Sequence, residues 1–306
     1  MPRSEKLQEW AYLAAWRGVR LLPEAAASSL FRAGADRVWR KDGRGVRQLR
    51  RNLARVVGAE PGPELVREAI RSYARYWKEA FRLPSMSRDD IDRSFEMHGY
   101  EPIAERAEAG KGSIVALPHS GNWDFAGAWV PQVAGHRLIT VAERLKPEGV
   151  FRRFVDYRES LGMRIVPASG GERSPDAVLG QALAEGYLVA LVADRDLGRT
   201  GVAVDFFGER TTFPIGPALL AIRNDVPLYT AHIHYEPDRA VCRISGPVDT
   251  GAGRLRERLG HTVQAVADAF AEGIGAHPAD WHMLQRFWTA DFEDPPRRAR
   301  TDGPES

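Results

Sequence analysis

Ser113-Ile114-Val115-Ala116-Leu117-Pro118-His119-Ser120-Gly121-Asn122-Trp123-Asp124 is the stretch whose reading decides the rest of the chain. Its apolar first half predicts a buried strand, and its second half a helix that begins within a few residues. The junction presents His119. An imidazole there can take a proton from an incoming hydroxyl near neutral pH, and Asp124, about one helical turn further on, can fold back to fix the loop. The His-x4-Asp spacing by itself is common by chance. Its weight comes from the strand before it, from the Gly and Asn that let the backbone turn, and from matching pieces downstream.

Outward from this junction, helix and strand patterns alternate. Upstream, Ile91 to His98 predicts a strand, Glu101 to Glu108 a helix, and Gly110-Lys111-Gly112 a turn. Downstream come a helix through Val133, a strand Leu138 to Val141, a helix Pro147 to Leu161, a strand Arg164 to Val166, a helix Ser174 to Glu185 and a strand Leu188 to Val192. Strands separated by helices of this kind predict an α/β fold, a central mostly parallel sheet flanked by helices on both faces. Further on, Gly201 to Glu209 predicts a strand and turn, Ala218 to Arg223 a helix, Val226 to Tyr235 and Ala240 to Ser245 antiparallel strands, and Arg254 to Ile274 a long helix.

In such sheets ligands gather at the carboxyl ends of the strands. The strand at Leu138 ends in Glu143-Arg144, and the strand at Leu188 ends in Asp194-Arg195-Asp196. Of these groups, Asp194 is the carboxylate expected to orient His119 and to stabilise its protonated form. Backbone amides near Gly121-Asn122, or in the Pro214-Ile215-Gly216 turn, are candidate oxyanion donors. No Gly-x-Ser-x-Gly nucleophile elbow occurs, and Cys242, in a predicted strand, reads as core. His232 and His234 alternate on one strand and share a face; as a metal pair they would need a third ligand, for which the spacing gives no signal.

Composition bounds the class. A chain of 306 residues, 43% hydrophobic, suits one large α/β domain or two small ones and has ample material for a core. One cysteine excludes an internal disulfide and suits a reducing compartment. There is no run of eighteen apolar residues and no signal-peptide pattern, so the expectation is a protein on the cytoplasmic side that does not span a membrane. Charge is unevenly placed: residues 1–82 hold 18 Lys or Arg against 9 Asp or Glu, and the other 224 residues hold 25 against 32. That asymmetry points to an N-terminal region that meets an anionic surface. Leu7 to Leu22, with Trp10, Leu13, Trp16 and Val19, and Ala25 to Arg40 predict amphipathic helices, read either as packed on the domain or as touching a membrane. Glu64 to Leu83 predicts a third helix whose Arg67, Arg71, Arg75, Lys78 and Arg82 form a basic stripe, either a solvated face or a phosphate-receiving one. The expected layout is a single domain over 1–291, with a basic helical portion (1–83), a catalytic α/β portion (84–291) and a disordered tail (292–306).

Six blocks, in order, resemble a known family: Ala116 to Asp124, Val141-Ala142-Glu143-Arg144-Leu145-Lys146-Pro147, Tyr157-Arg158-Glu159-Ser160-Leu161-Gly162, Asp194-Arg195-Asp196-Leu197, Phe206-Phe207-Gly208 and Pro278-Ala279-Asp280-Trp281-His282-Met283. They are similar to the lipid A biosynthesis branch of the lysophospholipid acyltransferase superfamily, and within it to actinobacterial members that acylate mannosylated phosphatidylinositol. The resemblance spans nearly the whole chain. It implies acyl transfer from acyl-CoA, as co-substrate, to the 6-hydroxyl of a mannose at the inner leaflet, with His119 as general base, Asp124 as second motif residue and no metal or other cofactor. Asp194 stands where that branch carries Glu. Glu143 and Arg158 match further polar positions, for either donor or acceptor; Arg144, Arg195 and Asp196 join them as substrate-binding candidates at the strand ends. No nucleic-acid partner is expected.

Two other classes compete. Asp194-Arg195-Asp196 after an apolar strand also suits the nucleotide-sugar and metal site of a glycosyltransferase, which chelation would silence. A Trp-rich basic N-terminus alone suits a peripheral lipid-binding protein without turnover. A sibling acyltransferase acting on lipid A precursors or a lysophospholipid is the nearest alternative.

Overall fold

The computed structural model describes residues 18–292, apart from 145–147, 172, 197 and 199. Most of the predicted first helix, including Trp10, Leu13 and Trp16, and all but the first residue of the predicted tail lie outside the described residues. Three helices follow: α1 (Glu24–Lys41), α2 (Arg44–Val57) and α3 (Pro63–Arg82). Pro63 sits in the first turn of α3, where a missing N–H leaves nothing unsatisfied. The facing apolar residues Ala35, Val46, Leu49, Leu53, Val66 and Ile70 make a small core among the three helices.

The basic stripe of α3 is met by carboxylates along its length. Arg67 and Arg71 both grip the Asp36 carboxylate, with Nε to Oδ1 distances of 3.1 and 2.7 Å, and hold it well below the usual carboxylate range. Arg75 pairs with Glu79, while Lys78 and Arg82 pair with Glu24. Helical spacing puts these cations on one side of α3, and α1 supplies the carboxylates that meet four of the five. The stripe is therefore largely the α1–α3 contact itself.

The α/β portion begins with α4 (Arg88–Ser94), β1 (Phe95–His98), α5 (Glu101–Glu108) and β2 (Ser113–Leu117). The strand predicted over Ile91 to His98 is half helix. The reason is local: Ser87 and Asp90 form a reciprocal capping box that nucleates α4 before the strand starts at Phe95. Next come α6 (Trp123–Trp129), β3 (Leu138–Ala142), α7 (Glu148–Ser160), β4 (Arg164–Pro167), α8 (Pro175–Ala184) and β5 (Leu188–Val192). The chain ends with β6 (Val202–Phe206), β7 (Glu209–Phe213), α9 (Gly216–Asn224), β8 (Leu228–Tyr235), β9 (Ala240–Ser245) and α10 (Leu255–Ala276).

Seven strands form one sheet in the order β1-β9-β8-β2-β5-β3-β4, and only the β8–β9 hairpin is antiparallel. The expected α/β architecture is thus present. Strand β2 sits at the centre, pairing with β5 on one side and β8 on the other, and all five of its residues are buried. Its side chains alternate between two cores: Ile114 and Ala116 join α8, α9 and α10, whereas Val115 and Leu117 join α3, α4, α6 and α7. The β6–β7 hairpin stands apart as a two-stranded sheet packed on the first of these cores. His119 therefore leaves the carboxyl end of the most central strand, and Asp194 leaves its neighbour two residues past the end of β5.

Candidate active site

The loop after β2 is held in a fixed shape by a second loop, the one that follows α10. Gly121 N–H donates to the Asp280 carbonyl at 2.9 Å, His282 N–H donates to the His119 carbonyl at 2.8 Å, and Ser120 bridges Trp281. Gly121 adopts φ +53°, and a Cβ there would lie 2.6 Å from Ile233 Cγ2 and 2.7 Å from the Ile233 carbonyl oxygen. Only glycine satisfies both the left-handed backbone and the close approach of β8. The Gly121 amide, one of the oxyanion candidates, is thereby taken up by Asp280. The Pro214 to Gly216 turn opens α9, which packs against α8 and α10.

Asn122 caps α6 by accepting from Phe125 N–H at 3.0 Å, and its own amide donates to Glu79 of α3 at 3.0 Å. Helix α3 thus reaches the site from behind. It also supplies Tyr76, whose hydroxyl donates to Asp124 Oδ2 at 2.9 Å.

The two candidate partners of His119 separate cleanly. Asp194 is fully buried and faces the imidazole, with Oδ1 2.5 Å from His119 Nδ1. Its other oxygen, Oδ2, accepts the His119 backbone N–H and the Trp281 indole N–H, both at 3.0 Å. Burial alone would raise the Asp194 carboxyl pKa, but the adjacent His119 and these three donors outweigh it and leave the group below its ordinary value. The aspartate side chain is long enough to reach the ring. With Nδ1 facing a carboxylate, Nε2 is the nitrogen left to accept a proton, and the His119 side chain remains 26% exposed.

Asp124 does not touch His119. Its Oδ1 pairs with Arg158 Nε at 2.7 Å and its Oδ2 takes the Tyr76 hydroxyl. Burial opposes the charge on Arg158, yet the Asp124 carboxylate prevails and raises the guanidinium above its ordinary value. Burial and the nearby Asp124 charge push Tyr76 well above the usual phenol range, so it stays a neutral donor. The pair fastens α7 to the start of α6 and gives the loop a rigid floor.

The remaining sequence candidates are placed less centrally. Glu143 and Arg144 are exposed, and Arg144 forms a two-pronged pair with Glu148 at 2.9 and 3.0 Å, at the start of α7. Asp196 accepts Gly201 N–H at 2.8 Å and so ties its own loop. Arg195 lines a cleft with Asp194, Thr212 and Arg286. Asp194 and Asp196 are engaged by different groups, one by His119 and Trp281, the other by backbone amides, and among the described residues no group of three or more His, Cys, Asp or Glu gathers to hold the metal of the glycosyltransferase reading.

An apolar pocket opens beside the site on the β2 face that carries Val115 and Leu117. It is lined by those residues with Gly127, Val130, Leu188 and Ile233, and Trp123, Asp124 and Arg158 bound it on the polar side. Phe125 and Trp129 of the same helix point elsewhere: Phe125 stacks on Phe95 and Trp129 meets Tyr100 edge-on. Cys242 lines the pocket, and burial pushes its thiol up to about 12, as suits a core residue rather than a nucleophile.

Sequence reasoning missed Tyr76, Glu79 and Ser72 of α3. Their signal was present as the face of the α3 helix one step round from its apolar stripe, but nothing local says which loop that face meets. Ser72 bonds Asp280 Oδ1 at 2.6 Å and lies 2.9 Å from His282 Nε2, which ties α3 to the loop after α10.

The sequence profile described as bacterial lipid A biosynthesis acyltransferase matches residues 2–290. The chain belongs to that family. Its relatives include the phosphatidylinositol mannoside acyltransferase of Mycolicibacterium smegmatis, 47% identical over 303 residues, which covers 98% of this chain and 97% of that protein. The protein of the same name from Mycobacterium tuberculosis is 46% identical over 297 residues, 95% of this chain and 92% of its own length. The family and these relatives support acyltransferase activity for this chain.

Proposed function

We propose that this acyltransferase moves a long-chain acyl group from acyl-CoA to the 6-hydroxyl of a mannose on phosphatidylinositol mannoside, with His119 as general base. The observation that carries the reading is the 2.5 Å contact between His119 Nδ1 and Asp194, which leaves Nε2 to take a proton, on a ring that meets Trp123 of the apolar pocket wall at 5.3 Å. A sugar hydroxyl is a poor nucleophile at neutral pH, whereas a thioester is already activated. Nε2 takes the hydroxyl proton as the sugar oxygen attacks the thioester carbon. The tetrahedral oxyanion then collapses, the C–S bond breaks, and the departing CoA thiolate recovers the proton from the imidazolium. Asp194 stays ionised and stabilises the imidazolium throughout. The pocket suits the acyl chain, and the names of the mycobacterial relatives support the acceptor.

The reading extends to place. Leu21, Leu30 and Val38 are 85%, 57% and 49% exposed, and Arg32, Arg37 and Arg40 are exposed around them. No described helix is long and apolar enough to cross a membrane. Apolar and basic side chains together suit peripheral contact with the anionic cytoplasmic face of the plasma membrane, the helical portion and the α/β portion acting as one domain.

The test is turnover of palmitoyl-CoA by purified protein with mannosylated phosphatidylinositol, lysophosphatidate or a lipid A precursor. The mannoside alone should support rapid transfer, unaffected by EDTA, and His119→Ala should lower it by about 1,000-fold or more. No turnover with the mannoside would overturn the acceptor. Wild-type rates in His119→Ala would overturn the base.

A further inference from the structure

We infer that Trp281 is a positioning residue whose indole N–H sets how strongly Asp194 holds the His119 imidazole. The inference rests on His119 acting as the base. A buried carboxylate has two oxygens and must divide them. Here Oδ2 takes two donors, the His119 backbone N–H and the Trp281 indole, each at 3.0 Å, and Oδ1 is left for the ring. Both Asp194 and Trp281 have no exposed surface, so no water competes for these contacts. A donor on Oδ2 draws charge from the carboxylate, which weakens its pull on the imidazolium and fixes its rotation about the Cβ–Cγ bond.

Trp281 is itself held rigidly. Its ring meets Phe206, Phe287 and Trp288 edge-on, with centroids 6.0, 5.2 and 5.9 Å away. Its backbone bridges Ser120, the residue after the base. One residue thus touches both halves of the pair, the carboxylate through its indole and the loop of the imidazole through its main chain. Asp194 reaches the ring with its oxygens already assigned, and Trp281 does part of the assigning.

The test separates positioning from packing. Trp281→Phe keeps an aromatic ring and removes the donor; Phe287→Leu loosens the same aromatic cluster and leaves the donor in place. With Trp281→Phe, Asp194 becomes more basic and grips the imidazolium more firmly, so the acid limb of the pH–rate profile moves to higher pH, and kcat falls about tenfold with KM little changed. The downfield proton resonance of the His119–Asp194 contact also shifts, a readout that needs no turnover. Phe287→Leu lowers the melting temperature but moves neither the limb nor the resonance. If Trp281→Phe folds poorly, replacement of Trp281 by its benzothiophene isostere, which has sulfur in place of N–H, gives the same prediction at constant shape. An unmoved limb and resonance, or equal movement in Phe287→Leu, overturns the inference. If His119→Ala kept full activity the base reading would fail instead, while the resonance would still report what Trp281 does to Asp194.

Discussion

Asp124 and Asp194 are both buried carboxylates that close on the same loop, and they differ in what faces them. Asp124, five residues from His119, meets Arg158 and Tyr76. Asp194, 75 residues away, meets the imidazole. Arg158 never titrates in the working range, so its pair with Asp124 is a fixed strut. In the proposed mechanism the partner of Asp194 gains and loses a proton in each cycle, which makes that pair part of the chemistry. Nearness in sequence chose the strut; the order of strands in the sheet chose the partner.

The sharpest way to break this comparison is to neutralise each acid in turn. Asp194→Asn should cut kcat by about 1,000-fold or more while the protein stays folded, because the amide stabilises no imidazolium and can hold the wrong tautomer. Asp124→Asn leaves Arg158 buried beside a neutral group, and Arg158→Met leaves the carboxylate alone. Each should destabilise the fold by about 3 kcal/mol, read as a lowered urea midpoint, with activity reduced by a smaller factor than in Asp194→Asn. If Asp124→Asn were the less stable-fold-preserving and more activity-damaging of the two at equal folded fraction, the roles would be reversed.

A third setting sharpens the contrast, since it gives the His232 imidazole no hydrogen-bonded carboxylate among the described residues. His232 and His234 of β8 stack with His277, the last pair with centroids 3.7 Å apart, and neither ring nitrogen of His232 has a hydrogen-bond partner among the described residues. Burial first, and the neighbouring His277 and His234 second, hold His232 down to about 3; burial holds His282 down to about 3 as well. These groups stay neutral in the fold and take up protons only once unfolded. Their contribution is therefore complete above about pH 6.5 and is lost as pH falls toward the folded values. Each should weaken the fold by about 2 kcal/mol between pH 7.5 and pH 5. Urea midpoints at the two pH values check this, and His232→Leu should flatten the difference. The smallest effect expected is that of Glu143→Gln: an exposed group with no partner among the described residues should change stability by less than about 0.5 kcal/mol.

Much of the fold was legible because its signals are local. The apolar run Ile114 to Leu117, the alternation of strands with helices and the glycine-rich turns each act within a dozen residues. The sheet then brought Asp194 to His119 as the strand-end rule requires. What stayed hidden depended on distant surfaces. The stripe on α3 reads as solvated or phosphate-binding until α1 supplies Asp36 and Glu24. Tyr76 and Glu79 look like ordinary helix residues until α6 packs on them. The half-helix at Arg88 to Ser94 was local and readable, since Ser87 and Asp90 carry a capping signature that the apolar residues after them obscured. The pocket walls followed the helix phase of α6, which turned Gly127 and Val130 inward and Phe125 and Trp129 away.

The central claim is that Asp194, and not Asp124, holds the proton-bearing nitrogen of the base. Proton NMR of the wild type and of Asp194→Asn, Asp124→Asn and His119→Gln tests it most directly. A downfield Nδ1–H resonance should be present in the wild type, absent in His119→Gln and Asp194→Asn, and retained in Asp124→Asn. Its loss in Asp124→Asn with survival in Asp194→Asn would contradict the account.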